Sequence, residues 1–133
     1  MDSLDELLRR LKNTNSSGER NALAITATET GDLEVKKVLI EMIDRPELLN
    51  ERGTFVNCLG QFDCSRNFLF LVRLVCEGNW EVSHEAADIL AKNDLVEGRE
   101  VKEGYNCLRT TVAAGVNDEW RAELIADLLS MFD

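Results

Sequence analysis

One proline, one histidine and no paired-cysteine motif in 133 residues set the first limits on this chain. With Pro46 alone, little interrupts the backbone, and helix is permitted nearly throughout. A lone histidine, His84, leaves no second imidazole for a His-rich metal site. The four cysteines, at 58, 64, 76 and 107, form no CxxC pair and no zinc-finger frame. GxGxxG, the phosphate loop and GxSxG are all missing. The longest apolar run, Phe68 to Val72, falls far short of the ~20 residues a membrane span needs, and Met1 to Lys12 is too charged for a secretory leader. These absences point to a reduced, cytoplasmic protein without cofactor or metal, and not to an enzyme.

Positive charge is also scarce. Fifteen Lys and Arg face 25 Asp and Glu, a formal net charge of −10. That balance argues against nucleic acid or an anionic membrane as partner, since both require clustered cations. The deficit is uneven: residues 1–75 hold 12 acidic and 10 basic side chains, residues 76–133 hold 13 and 5. At 44% hydrophobic and 30% charged residues, the chain has the composition of a single globular domain over residues 1–133.

What is present is helical periodicity. Leu4, Leu7, Leu8 and Leu11 form a first stripe. A second helix runs from about Glu19 to Thr30 and stops at Gly31, a residue suited to a left-handed cap. Asp32 caps a third with Val35, Val38, Leu39, Met42 and Ile43 inward, broken by Arg45-Pro46. The fourth spans about Asn50 to Gly60, with Phe55, Val56 and Leu59 apolar. Ser65 is expected to cap a fifth, Arg66 to Glu77, apolar nearly all round and therefore central. A sixth, Trp80 to Lys92, buries Val82, Ala86, Ile89 and Leu90. The seventh, about Arg99 to Ala114, presents Val101, Tyr105, Leu108 and Val112. Asp118 caps an eighth with Trp120, Leu124, Ile125 and Leu128 inward. Cys58, Cys76 and Cys107 fall among apolar helical residues and are expected to be buried; the apolar registers of Cys58 and Cys76 are expected to leave those two thiols inert.

An internal repeat pairs these helices. Leu39-Ile40-Glu41-Met42-Ile43 precedes Leu71-Val72-Arg73-Leu74-Val75 by 32 positions, and Cys58-Leu59-Gly60 aligns on Ile89-Leu90-Ala91 at 31. The expected architecture is all-α: eight helices in about four antiparallel hairpins, a short α-solenoid. A compact orthogonal bundle is the alternative. On the motif apolar-apolar-x-apolar-apolar and the small residues of the second helices, residues 19–133 resemble the HEAT-like repeat class. That resemblance implies protein binding on a concave face lined by the second helices. The period is shorter than most HEAT units, and Pro46 alone stands for the usual interhelical proline.

Chemistry-bearing groups concentrate in the sixth and eighth helices. His84-Glu85-Ala86-Ala87-Asp88 begins like the zincin HExxH motif, but Asp88 stands where the second His is required, and His84 reads as an exposed helical residue. Glu81, Glu85 and Asp88, at i, i+4 and i+7, share one helical face. Glu119, Glu123 and Asp127 repeat the pattern at i, i+4 and i+8. Like charges four apart cost a few tenths of a kcal/mol per pair, a cost folding alone does not require. Trp80 and Trp120 open these same helices, as core caps or as interface anchors.

Small, acidic, all-helical and without catalytic groups, the chain looks like the immunity proteins of bacterial toxin systems. The resemblance implies a basic toxin effector domain, often a nuclease, blocked stoichiometrically. Opposite charge steers such encounters toward ~10⁸–10⁹ M⁻¹s⁻¹ at low salt. A general helical-repeat adaptor is the second expectation. The exposed side of Phe68 and Phe70 is the alternative interface.

Overall fold

Two serines open the chain's first helices. The computed structural model describes residues 3–92 and 98–131; Met1 lies outside them. Ser3 Oγ accepts from the Glu6 N–H at 3.2 Å, starting α1 (Leu4–Asn13). Ser16 Oγ accepts from the Glu19 N–H at the same distance, starting α2 (Ser17–Thr28). Both sites read Ser-x-x-Glu, the sequence of a capping box. The second box starts α2 ahead of Glu19 and places Gly18 inside its first turn.

By Cα packing the chain divides into two compact units, Met1–Phe62 and Asp63–Asp133. In the first, α2 ends at Gly31, whose φ of 71° is the left-handed cap expected there. Asp32 Oδ1 then accepts from the Glu34 N–H at 2.9 Å to begin α3 (Leu33–Ile43). Its five predicted apolar positions are all buried, none above 4% exposure. Pro46 ends the helix but does not open a loop. It heads a 3-10 segment, Pro46–Glu51, and α4 is shortened to Gly53–Leu59. Proline suits a first helical position, where its missing N–H has no intrahelical partner. Buried Leu48 anchors the segment.

Within this unit α1 packs on α2 and α3 on α4, while α1 also meets α3 and α2 meets α4. A buried cation joins the parts. Arg20 Nη2 donates to the Thr14 carbonyl at 2.9 Å and Nη1 to Glu51 Oε2 at 3.2 Å. Ile25, Thr28, Glu29, Asn57, Cys58 and Gln61 line an open cleft of about 380 Å³ on this unit.

The second unit holds α5 (Phe68–Glu77), α6 (Trp80–Lys92), α7 (Gly98–Ala114) and α8 (Glu119–Met131). Helix α5 starts later than predicted, and Ser65 does not cap it. The Ser65 N–H donates to Asp63 Oδ1 at 2.9 Å, and the Asn67 N–H to the Cys64 carbonyl. That turn delays helix entry to Phe68. Helix α5 then packs against α6, α7 and α8, so it is central to its unit. The sixth helix has the predicted bounds and buries all four predicted residues.

The predicted stripe of α7 is only partly right. Leu108 is fully buried, but Val112 is 46% exposed. Gly104 lies inward instead, and a Cβ there would collide with the Phe68 ring. Phe68 is accordingly buried at 3% exposure and cannot serve as an interface. The cysteine assignments also change. Cys64, unassigned from the sequence, is buried, Cys76 is half-buried and Cys107 is exposed; none of the four is in a disulfide.

Among the described residues there is no strand, and no helix is long and apolar enough to cross a membrane.

Candidate interaction surface on helices α6 and α8

The geometry begins at the short link Gly78-Asn79. Asn79 Oδ1 accepts from the Val82 N–H at 2.9 Å, capping α6 and leaving Trp80 as its first residue. A side chain so placed has little of the helix around it, and Trp80 is 58% exposed. One turn later His84 stacks on it, with ring centroids 4.2 Å apart and planes at 32°. His84 Nδ1 lies 2.7 Å from the Trp80 carbonyl. A carbonyl only accepts, so Nδ1 carries the proton in this contact.

His84 is therefore half-buried, and the simple exposed position read from the sequence is corrected. Its second neighbour is Trp120 of α8, at 5.6 Å between centroids and 37°. The Arg121 guanidinium lies 4.5 Å over the Trp120 ring, within the range of a cation–π contact. Trp80, His84, Trp120 and Arg121 thus form a continuous ladder of rings ending in a cation.

Arg121 carries a second task. Its Nη1 donates to the Val75 carbonyl at 2.6 Å and to Ser83 Oγ at 3.1 Å, and Nη2 donates to the Gly78 carbonyl at 2.6 Å. The last carbonyls of a helix lack intrahelical donors and carry the negative end of its dipole. Arg121 satisfies two carbonyls at the end of α5 from a third helix. Ser83, fully buried, lies within 3.0–3.2 Å of the Leu74, Val75 and Gly78 carbonyls. Asp118 Oδ2 lies 3.6 Å from Arg121 Nε and partly neutralises it.

Sequence reading missed both groups. A signal existed for each: a cation in the first turn of α8 opposes the helix dipole, and Ser83 interrupts an apolar register.

Five of the six predicted carboxylates, Glu81, Asp88, Glu119, Glu123 and Asp127, are exposed, and Glu85 is half-buried. Asp88 and Asp127 share a groove of about 190 Å³ with Ala87, Ala91, Leu124, Leu128 and Met131. Near their starts the two helices meet through His84 and Trp120, and near their ends Ala91 and Met131 line the one groove. They therefore run parallel.

On α6 the seam follows Trp80, His84, Ala87 and Ala91, and Glu81 and Glu85 each lie one residue after a seam position. On α8 the seam follows Trp120, Leu124, Leu128 and Met131, and Glu119 and Glu123 each lie one before. Two parallel right-handed helices facing each other turn these offsets to the same side. The two acidic stripes thus border one side of the α6–α8 groove.

Burial pushes the Cys76 thiol upward, opposed in part by a hydrogen bond from Thr111; burial likewise raises Cys58, opposed by Thr28. Among the described residues no group of three His, Cys, Asp or Glu side chains is arranged to hold a metal. No known protein family matches the chain, and neither curated proteins nor solved structures give a match.

Proposed function

We propose that the acidic side of α6 and α8 is a protein-docking surface and that the chain is an immunity-type inhibitor. It captures a basic toxin domain, most simply a nuclease, in the cytoplasm and covers its cationic groove. The observation that carries this reading is the placement of Glu81, Glu85, Asp88, Glu119, Glu123 and Asp127 along one side of a helix pair that exposes Trp80. An exposed tryptophan is a common hot-spot residue, and the carboxylates of the two stripes supply electrostatic steering.

The reading also takes the helices as hairpins of a short HEAT-like α-solenoid. Support comes from the repeat and from packing inside each unit. First helices meet first helices (α1 with α3, α5 with α7), and second helices meet second helices (α2 with α4, α6 with α8). In such an array α6 and α8 line the binding face.

Pull-down from a cell extract with mass spectrometry tests the partner. A single basic toxin domain as prey supports inhibition; several unrelated housekeeping proteins would favour an adaptor. With the prey in hand, replacing Glu81, Glu85 and Asp88 by Lys should leave the far-ultraviolet spectrum unchanged, slow association and flatten its salt dependence. Unchanged kinetics would place the interface elsewhere.

A further inference from the structure

The ring ladder on α6 and α8 is saturated at one end and open at the other. Arg121 closes one end over Trp120 at 4.5 Å, and its charge is met by Asp118 at 3.6 Å. At the far end Trp80 stacks, among the described residues, on His84 at 4.2 Å and remains 58% exposed. The indole is thus partly covered, and the next residue of α6, Glu81, is exposed to solvent.

We propose that Trp80 is the receptor for an arginine side chain of the basic partner, stacked as the next rung of the ladder. The inference rests on the α6–α8 face being the docking surface and adds which cation it selects. A guanidinium is planar, weakly hydrated and able to stack while its N–H groups reach a carboxylate. A lysine ammonium is a compact, strongly hydrated charge that gains less from a ring. The molecule already uses this pairing once, in Arg121 over Trp120. The acidic stripes attract any polycation, whereas the indole distinguishes arginine from lysine.

Calorimetric titration of the intact protein with octa-arginine and octa-lysine peptides tests this at matched salt. Octa-arginine should bind more tightly, by about two- to five-fold for one exposed cation–π contact. Trp80→Leu should abolish most of that preference while leaving octa-lysine affinity and its salt slope unchanged; Trp80→Phe should keep part of it. Circular dichroism of each variant confirms that α6 is intact. A preference that persists in Trp80→Leu overturns the arginine assignment and leaves the acidic docking face standing. An equal loss for both peptides also overturns it, because Trp80 would then act without selecting a cation. Failure of both peptides to bind the unmodified protein would remove the docking face and the arginine site together.

Discussion

The guanidinium of Arg121 and the carbonyl of Gly78, 43 positions apart in sequence, meet at 2.6 Å. With its bond to Val75, this contact makes one side chain of α8 the cap of α5. Arg121→Ala leaves the single Ser83 hydroxyl hydrogen to serve both carbonyls, so one of them loses its donor at a desolvation cost of about 1–3 kcal/mol where water cannot replace it, and the charge-assisted bonds are lost as well. The expected loss is about 2–3 kcal/mol in urea unfolding. Arg121→Lys should recover part of it, since an ammonium reaches fewer acceptors in fixed geometry.

Ser83 belongs to the same node, 3.1 Å from Arg121 Nη1. Ser83→Ala alone should cost about 1 kcal/mol, the usual net worth of one hydrogen bond. The double variant should fall short of the sum by at least ~0.5 kcal/mol, as expected for groups in one network. Strict additivity in a double-mutant cycle would show that the two act independently.

Gly104 and Gly18 should respond oppositely to alanine. At Gly104 the new methyl meets the buried Phe68 ring, an overpacking cost of about 1–3 kcal/mol that outweighs up to ~1 kcal/mol of helix propensity. At Gly18 the nearest atom is Ser16 Oγ at 4.0 Å, so Gly18→Ala should stabilise by several tenths of a kcal/mol, about 0.4 or more. Thermal unfolding of the two variants reads both signs.

Thiol labelling should be ordered. Cys107 is exposed, whereas burial raises the Cys58 and Cys76 thiols above their ordinary value. A raised value means less thiolate at any given pH, and thiolate is the reacting form. Iodoacetamide near pH 8 should modify Cys107 first, with Cys58 and Cys76 lagging until the pH rises or the protein unfolds. Peptide mass spectrometry over a time course separates the sites; early labelling of Cys58 would contradict its placement.

Helix identity and most core faces were legible because burial repeats every three to four residues. The five inward positions of α3 and both ends of α6 follow directly from that period. Local capping was legible too where Asp32 and Gly31 stand, but the rival turn at Asp63 to Asn67 was not. There a backbone donor chose Asp63, and Ser65 lost the capping role. Val112 failed for a different reason: Gly104 lets α7 approach Phe68 closely, and that approach rotates the buried stripe away from Val112. For the candidate surface, spacing located the carboxylates and both tryptophans. It did not reveal Arg121 or the stacked state of His84. Arg121 bonds chiefly to backbone carbonyls, which leave no mark in sequence, and the His84–Trp120 contact joins residues on different helices.

The pairing of helices within each unit bears on how the chain acquires its structure. Among the described residues the main helix–helix contacts of Met1–Phe62 join helices at most two apart along the chain, and those of Asp63–Asp133 helices at most three apart. Closing such short loops takes little chain entropy, and folds dominated by local contacts reach the native state in microseconds to milliseconds. The first unit ends at Phe62, so its internal packing can form during synthesis before the acidic half of the chain emerges.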